Sequence, residues 1–540
     1  MAVGGLGADL GHPGAARRRE SGGGLTMMTT EQDMASPVPA RAGRREWTGL
    51  VVLVLPTLLI SVDVSVLYLA LPQLSSQLGA SSTQQLWIMD IYGFMLSGLL
   101  VTMGTLGDRI GRRKLLLIGA GGFCVASVVA AYSKSPEMLI AARAALGIAG
   151  ATLMPSTLAL ISNMFQAPGQ RSVAIAVWLN CFLIGMVIAP LLGGWMLEHF
   201  WWGAALLLGV PVMVVLLLTA PALLPEYRDA SAGRLELTSV VLSLAAILPT
   251  IYGIKELARH GWHVEAFVAL VVGLGMGVVF VRRQLTLEHP LLDPRLFANR
   301  AFSSTLLILL LVAIVTGGMG LLVPLYLQLV AGRTPLEAGM WMVPQMLGMM
   351  VGSSLGPFVV RRMRPGYVMA AGLALSSVGY LVMSQVDSVG GPVVLVVGSV
   401  IVTMGLAPMA VLGTDLVVGS VPPEKAGSAA STSETANELG VALGVAILGS
   451  FATAVYRRNM EDAVPAEVPT GVADSVRESI IGAVASTSAL PAGLRDAVLV
   501  PAREAFTQGI NIAAGLGVVV FATLAVVAAV MLKNVRAGQH

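Results

Sequence analysis

The chain has 540 residues, of which 56% are hydrophobic and only 12% are charged. Its mean hydropathy is +0.81, whereas a soluble globular protein carries about 25% charged residues. These values exclude an ordinary soluble protein and indicate a polytopic membrane protein whose surface faces mostly lipid. The net charge of +3 says little by itself. We expect the chain to be embedded in the lipid bilayer and to bind no nucleic acid.

The chain begins with a segment, residues 1–46, that is rich in Gly, Ala, Arg and Ser. It is predicted to be a disordered cytoplasmic tail and not a cleaved signal peptide. Apolar runs of about 20 residues then predict fourteen transmembrane helices, hence an all-α polytopic membrane protein. They lie at 47–72, 83–106, 113–132, 136–160, 171–195, 200–221, 235–257, 263–281, 302–330, 335–360, 366–386, 391–419, 426–455 and 509–532.

The distribution of positive charge supports this count and gives an orientation. With both termini in the cytoplasm, the short cytoplasmic loops hold 15 Lys and Arg residues and the outer segments hold 4, namely Lys134, Lys255, Arg259 and Arg333. Such an excess is typical of multi-pass proteins of the cell membrane. Cys124 and Cys181 lie in apolar runs and are interpreted as packing residues, and we expect no metal and no cofactor.

The first, second and fourth predicted helices each carry a charge. At 1.5 Å per residue, Asp63 lies ~13 Å, and Asp90 and Arg143 ~10 Å, below the outer boundary. Two acids and one base would then share a layer. One interpretation is a structural ion pair between Arg143 and either acid. The other adds that the acid left over, being desolvated, binds a proton near physiological pH. The residues do not decide which acid pairs with Arg143.

The turn after the second helix reads GTLGDRIGRRKLLLIG, residues 104–119. Its glycines permit a tight turn, and Asp108 is placed to cap the next helix. Taken alone, it is a charged cytoplasmic turn. The residues of interest are Gly104, Gly107, Asp108, Arg109, Gly111, Arg112 and Arg113.

Helix 13 carries two acids, Glu434 and Glu438, four residues apart and therefore on one helical face. Either they belong to a small-residue packing face, or they line a cavity together with Asp90. Because Arg143 is the only base placed deep in a span, the cavity has an anionic surplus that suits cationic substrates. Aromatic side chains such as Trp87, Tyr92 and Trp178 either stack on a flat organic cation or serve as packing residues.

Three motifs resemble those of the major facilitator superfamily. The turn at 104–114 is similar to its signature G-x-L-x-D-R-x-G-R-R/K, which in that family acts as a latch holding one access state. The stretch GMVIAPLLGGW resembles the antiporter motif G-x-x-x-G-P-x-x-G-G through Gly185, Pro190, Gly193 and Gly194. SVDVSVLYLALP resembles the first-helix motif of the fourteen-helix drug:proton antiporters, with Ser65 and Tyr68 as departures.

The resemblance implies two six-helix bundles, at 47–221 and 302–532, with two inserted helices at 235–281. The C-terminal bundle would include an outer loop at 456–508 with short amphipathic helices, one of them at 494–506 and broken by Pro501, and 533–540 would be a cytoplasmic tail. A loop between helices 10 and 11, GSSLGPFVVRRMRPG, is a degenerate copy of the 104–114 turn.

The resemblance further implies a monomeric proton-coupled exporter of lipophilic, mostly cationic drugs, that is, a multidrug efflux pump. Asp63 would carry the coupling proton, with Arg143 tuning it and Asp90 attracting the substrate. The alternative is a dedicated exporter of one endogenous antibiotic or metabolite by the same proton antiport. We expect no enzyme, because no nucleotide-binding P-loop, H-E-x-x-H pair or catalytic domain occurs in the sequence.

Overall fold

The computed structural model describes residues 42–228, 237–260, 263–287, 294–360, 364–421 and 426–532. The described residues form α-helices with short 3₁₀ and π segments and contain no strand. The helices are α1 Arg44–Leu78, α2 Ser82–Ile110, α3 Arg112–Ala131, α4 Pro136–Met164, α5 Pro168–His199, α6 Trp202–Leu207, α7 Gly209–Leu223, α8 Leu237–His260, α9 Val264–Thr286, α10 Arg300–Leu325, α11 Pro335–Val360, α12 Pro365–Met383, α13 Pro392–Gly419, α14 Ala426–Met460, α15 Thr470–Glu478, α16 Ile480–Ser486 and α17 Ala492–Met531.

The helix ends follow from local chemistry. Ser81 caps α2, its side chain accepting a hydrogen bond from the amide of Gln84. Ser135 does the same for α4, which starts with Pro136 at a position where no amide donor is needed. α1 stops at Gly79, whose φ of 65° is easily reached only without a side chain. The long apolar helices between these ends satisfy their own backbone polar groups, as a lipid environment requires.

Among the described residues, twelve helices are long and apolar enough to cross a membrane, with α6 and α7 counted as one. A thirteenth is α2, which bends by 53° between Leu100 and Thr102. α11, with 26 residues, coincides with the one remaining predicted span, at 335–360. The all-α class and the span positions agree with the sequence, and the count of fourteen crossings stays a prediction.

The helices pack as two halves with an inserted hairpin. In the N-terminal half, α1 packs on α5, and α4 packs on α2 and α3; in the C-terminal half, α10 packs on α14, and α13 on α11 and α12. The halves meet where α2 contacts α14 and where α5 contacts α11. α8 and α9 pack on each other, and α8 also contacts both α2 and α14.

The structure differs from the sequence prediction in the segment before the last span. The helix predicted at 494–506 is not a separate one, since α17 runs unbroken from Ala492 to Met531 with Pro501 inside it. Val498, Ala502 and Ala505 are buried on either side of the proline, so packing holds the helix together there. The predicted N-terminal tail lies outside the described residues up to position 41, as does the C-terminal tail from 533.

The bundle has two ends, the motif end and the far end. The motif end carries the turn at Gly111, between α2 and α3. The far end carries Gly79 to Ser81 and the segment between α14 and α17. There, the Tyr456 hydroxyl donates to the carbonyl of Val476 at 2.8 Å, and the Ser82 amide donates to the Glu478 carboxylate at 3.1 Å.

Candidate functional site

Asp63 and Arg143 form a buried ion pair between α1 and α4. Arg143 Nη1 lies 2.9 Å from Asp63 Oδ2, and the two side chains are only 1% and 5% exposed. The guanidinium also lies over the Tyr92 ring, 4.6 Å from its centroid, and its Nε donates to the carbonyl of Ile88. Of the two acids left open by the sequence, Asp63 is the one that Arg143 neutralises.

Asp90 has its own partner, Lys255. The charge distribution predicts that Lys255 lies in an outer segment, but it lies on α8 and is 2% exposed. Its Nζ lies 2.7 Å from Asp90 Oδ2. The expectation that Arg143 is the only deep base is therefore wrong. Lys255 stands near the end of its span, where a lysine usually extends toward the interface, and only the packing of α8 against α2 turns it inward.

The two ion pairs lie against different faces of α2: the Asp63–Arg143 pair lies on one side of this helix and the Asp90–Lys255 pair on another. Tyr92 and the carbonyl of Ile88 face α4 and Arg143. Trp87 and Asp90, three residues apart and so on one face, face Lys255, whose Nζ is 3.8 Å from the Trp87 ring centroid. The expected layer of two acids and one base therefore contains two acids and two bases, already paired.

The third face of α2 meets α14. A Cβ on Gly93 would lie 3.0 Å from the Cβ of Ala442 and 3.9 Å from the carbonyl oxygen of Glu438. Gly93 thus favours a close approach, since a larger residue would push the helices apart by a few tenths of an ångström, and it brings the acid-bearing part of the C-terminal half next to the N-terminal half.

Glu434 and Glu438 supply the negative charge that remains. Both are partly exposed, and Asn437, which lies between them on α14, is exposed. Within the described residues, neither forms an ion pair with a Lys or Arg. The phenol of Tyr92 has Asp63, Arg143 and Glu438 as charged neighbours, and that of Tyr68 has Arg143, Glu438 and Asp90. The anionic surplus stays a prediction, and its carboxylates would be those of α14 and not those of the N-terminal layer.

The two aromatic residues proposed for substrate binding are packed inside the N-terminal half in this state. Tyr92 is buried under Arg143. Trp178 is buried between α5 and α4, its Nε1 donating to Thr157 Oγ1 at 3.3 Å. Both contacts are those of packing residues. Trp87, in contrast, contacts a cation directly.

The turn between α2 and α3 is held within the N-terminal half. Gly111 has a φ of 113°, a conformation that favours glycine. Asp108 does not cap α3 as expected, because it lies in the last turn of α2 and pairs with Arg112, whose Nη2 is 2.6 Å from its Oδ1. Gly104 lies beside Pro155 of α4, and Arg109 is exposed.

Glu226, which follows α7, takes the capping role instead. It accepts a hydrogen bond from the Arg113 amide at 3.0 Å. The Arg113 guanidinium donates to the carbonyls of Pro221 and Leu224, and the Arg112 amide donates to the carbonyl of Tyr227. Gly107 is required as well, since a Cβ there would meet Arg112 Cδ at 2.9 Å. No local pattern points to Glu226, because it lies 113 residues from Arg113 in the chain.

The α5 motif joins three helices. A Cβ on Gly185 would lie 2.0 Å from Ser61 Oγ, and one on Gly193 2.7 Å from Val66 Cγ2, so both glycines admit α1. Gly194 instead faces α11 of the other half, where a Cβ would come within 2.6 Å of Leu336 Cα.

The reverse contact is equally close. A Cβ on Gly339 of α11 would lie 2.2 Å from the carbonyl oxygen of Pro190. Farther along the same end, Gln328 Nε2 donates to the carbonyl of Leu69 at 3.2 Å. These contacts between the halves lie toward the far end, so the structure is closed there.

Comparison with known proteins agrees with this architecture. Residues 53–445 match the profile of the Major Facilitator Superfamily. The multidrug efflux pump LfrA of Mycolicibacterium smegmatis is 41% identical over 475 residues, which cover 88% of this chain and 94% of that protein. The methyl viologen resistance protein SmvA of Salmonella typhimurium is 33% identical over 478 residues, with 87% and 94% covered.

Solved structures give the same fold. A bacterial homolog of the human lysosomal transporter Spinster, in an inward-facing and unoccupied conformation, matches with a TM-score of 0.65 and 18% identity, covering 92% of this chain and 100% of that one. The chain therefore belongs to the major facilitator superfamily, in its drug-efflux branch.

Proposed function

We propose that this protein is a monomeric proton-coupled antiporter that exports lipophilic, mostly cationic compounds across the cell membrane. The observation that carries the proposal is the buried Asp63–Arg143 pair, at 2.9 Å, together with Glu438 of α14, which like Arg143 is an electrostatic neighbour of Tyr68 and Tyr92. Multidrug efflux is what the name of LfrA states for that relative, and resistance to methyl viologen is what the name of SmvA states. Methyl viologen is itself an aromatic dication.

The charges around this pair provide a coupling mechanism. While Asp63 is ionised, the pair is neutral and the α14 carboxylates dominate the local field, which attracts a cation. A proton on Asp63 removes its charge and leaves Arg143 uncompensated, so the local charge rises by one unit. The guanidinium then repels the cationic substrate and attracts a carboxylate of α14. Proton binding and substrate binding thus exclude each other, as antiport requires.

The same step acts on the two halves. Asp63 and Arg143 belong to the N-terminal half, whereas Glu438 belongs to the C-terminal half. A change in the charge of one side alters the attraction between them, and rocking of two such halves gives alternating access. Protonation is therefore linked to the conformational change as well as to substrate release.

The orientation follows from charge. With Lys255 inside the membrane, the outer segments keep three of their four cations, against fifteen in the cytoplasmic loops. The motif end then faces the cytoplasm and the closed far end faces the exterior. In this state a lipophilic cation enters from the cytoplasm or the inner leaflet.

A vesicle assay tests the proposal. Proteoliposomes with an acidic lumen should take up ethidium as protons leave, and Asp63→Asn should reduce this uptake to the level of protein-free liposomes. Asp474→Asn is the matched control, because Asp474 is 80% exposed on α15. Thermal unfolding curves of both variants confirm that they are folded.

Two results would contradict the proposal in different ways. Gradient-driven uptake that persists in Asp63→Asn removes this carboxylate from the coupling role. If the wild-type protein moves no cation but carries a neutral or anionic compound, the preference for cations is wrong. The result would then favour the dedicated exporter.

A further inference from the structure

Asp90 and Trp87 enclose a buried cation, which is the ammonium group of Lys255. The ammonium of Lys255 lies 2.7 Å from Asp90 Oδ2 and 3.8 Å from the centroid of the Trp87 ring. The side chains of Asp90 and Lys255 are both 0% exposed. A carboxylate and an aromatic face around one positive charge are the elements of sites that bind organic ammonium ions.

This site, which we call the onium box and define as Asp90 and Trp87, fits a primary ammonium poorly. The Lys255 ammonium has one Asp90 oxygen at 2.7 Å, and within the described residues no other acceptor serves its remaining N–H donors. An ammonium has three N–H donors, and each one buried without an acceptor costs free energy. A quaternary ammonium has no such donor and loses nothing in the same place.

The surroundings of the onium box are apolar and come from three helices. Phe94 of α2, Ile251 of α8, and Ala442 and Ala446 of α14 form one buried cluster, against which Trp87 packs. An ion with a lipophilic body would therefore find apolar walls here as well as a carboxylate and a ring. Because α14 belongs to the other half, the walls of the box rearrange when the halves move.

Lys255 reaches this site from the inserted hairpin. α8 packs on α2 and α14, while much of its partner α9 has exposed side chains. The hairpin thus contributes one charge to the interior of a bundle that is otherwise formed by the two halves. That charge occupies the place a cationic substrate would take.

We propose that the onium box is a binding subsite for the quaternary head of a lipophilic cation, and that Lys255 is its tethered occupant when no substrate is bound. The inference rests on the proposed export of cations and adds how the site selects among them. A substrate without N–H donors displaces Lys255 easily. A primary amine has the same N–H donors as Lys255, would leave them without acceptors in this site, and therefore gains little. Lys255 is thereby a specificity-determining residue, and it keeps Asp90 from standing as a bare buried charge between transport cycles.

The test compares two probes with the same benzyl group and the same charge, in one of which three methyl groups replace the three N–H donors. Benzyltrimethylammonium and benzylammonium, both radiolabelled, are equilibrated by dialysis with the purified full-length protein. The wild type should prefer the trimethyl compound. Lys255→Met removes the competing charge and should tighten binding of the trimethyl compound by about tenfold, the size expected for a desolvated cation–π and charge contact. Lys134→Gln, which removes an exposed cation at the far end, should leave both affinities unchanged.

Two further variants separate a binding role from a structural one. Trp87→Leu in the Lys255→Met background should abolish the gain. Asp90→Asn with Lys255→Met leaves no buried charge in the onium box and should fold yet show no gain. If Lys255→Met alone unfolds on purification, benzyltrimethylammonium should restore its thermal stability and benzylammonium should not.

An ion pair that only stabilises the fold gives different results. Unchanged or weaker binding of both probes to Lys255→Met, or equal rescue by both, overturns the inference. Proton-driven ethidium uptake by the wild type is measured in parallel. If that uptake persists while the gain is absent, only the onium box fails, whereas absence of uptake counts against the proposed function itself.

Discussion

Gly339 is the position at which a single added carbon should most directly disturb the closed state. In Gly339→Ala, the new Cβ would lie 2.2 Å from the carbonyl oxygen of Pro190, whereas ordinary contacts begin at 3.4 Å. α5 and α11 must therefore part by about 1.2 Å at this point, the difference between these two distances. The neighbour is a backbone atom, so no side-chain rotation can relieve the contact.

Overpacking of this kind costs about 1–3 kcal/mol. Because α5 and α11 belong to different halves, that cost applies to the state closed at the far end and not to one in which the helices have separated. The population ratio of the two states should then shift by roughly 5- to 150-fold toward the state open at the far end.

Distance measurements by electron paramagnetic resonance can detect this shift. Spin labels on Gln77 and Gln385, both exposed at the far end of opposite halves, should report a longer distance in Gly339→Ala. Cys124 and Cys181 are replaced in the background. Gly320→Ala on α10 is the matched control, since a Cβ there meets nothing within 4 Å. Identical distance distributions in the two variants would refute the reasoning, because a contact across the interface would then have no effect on closure.

Two further predictions concern the ends of the bundle. Glu226→Ala should lower the free energy of unfolding by about 1 kcal/mol, the usual contribution of a helix cap. Glu226→Gln keeps an acceptor for the Arg113 amide and should lose less. Equal losses for the two variants in calorimetry would show that the cap is unimportant. Tyr456→Phe removes the hydroxyl that donates to Val476 at a cost of about 1 kcal/mol, and it should speed proteolytic cleavage between α14 and α17; an unchanged cleavage rate would contradict a role for that bond in holding the segment.

The spans were predictable because they depend on local composition. Apolar runs and the charges between them locate each helix, and α3, predicted at 113–132, is observed at Arg112–Ala131. The exception is informative. Pro501 predicts a break from local geometry alone, yet burial of Val498 and Ala502 on α17 outweighs it, and burial is set by the tertiary structure.

The sequence predicts three of the charged residues of the site, but it does not predict which of them form ion pairs. Periodicity and depth brought Asp63, Asp90 and Arg143 into one layer, but the choice between the two acids depends on helix rotation. Lys255 was misplaced for the same reason, since α8 is an insertion whose packing partner has no sequence signal. Glu226 was missed because its partner Arg113 is distant in the chain.

The ion pair between α8 and α2 changes how the inserted hairpin should be regarded. A hairpin joining two six-helix halves would ordinarily be called a spacer, one that a shorter relative can do without. Here its loss would strip Asp90 of its counter-charge in an apolar interior, and an uncompensated buried charge costs about 3–5 kcal/mol. Removal of these two helices would therefore require a compensating change at Asp90, so the hairpin and this acid depend on each other.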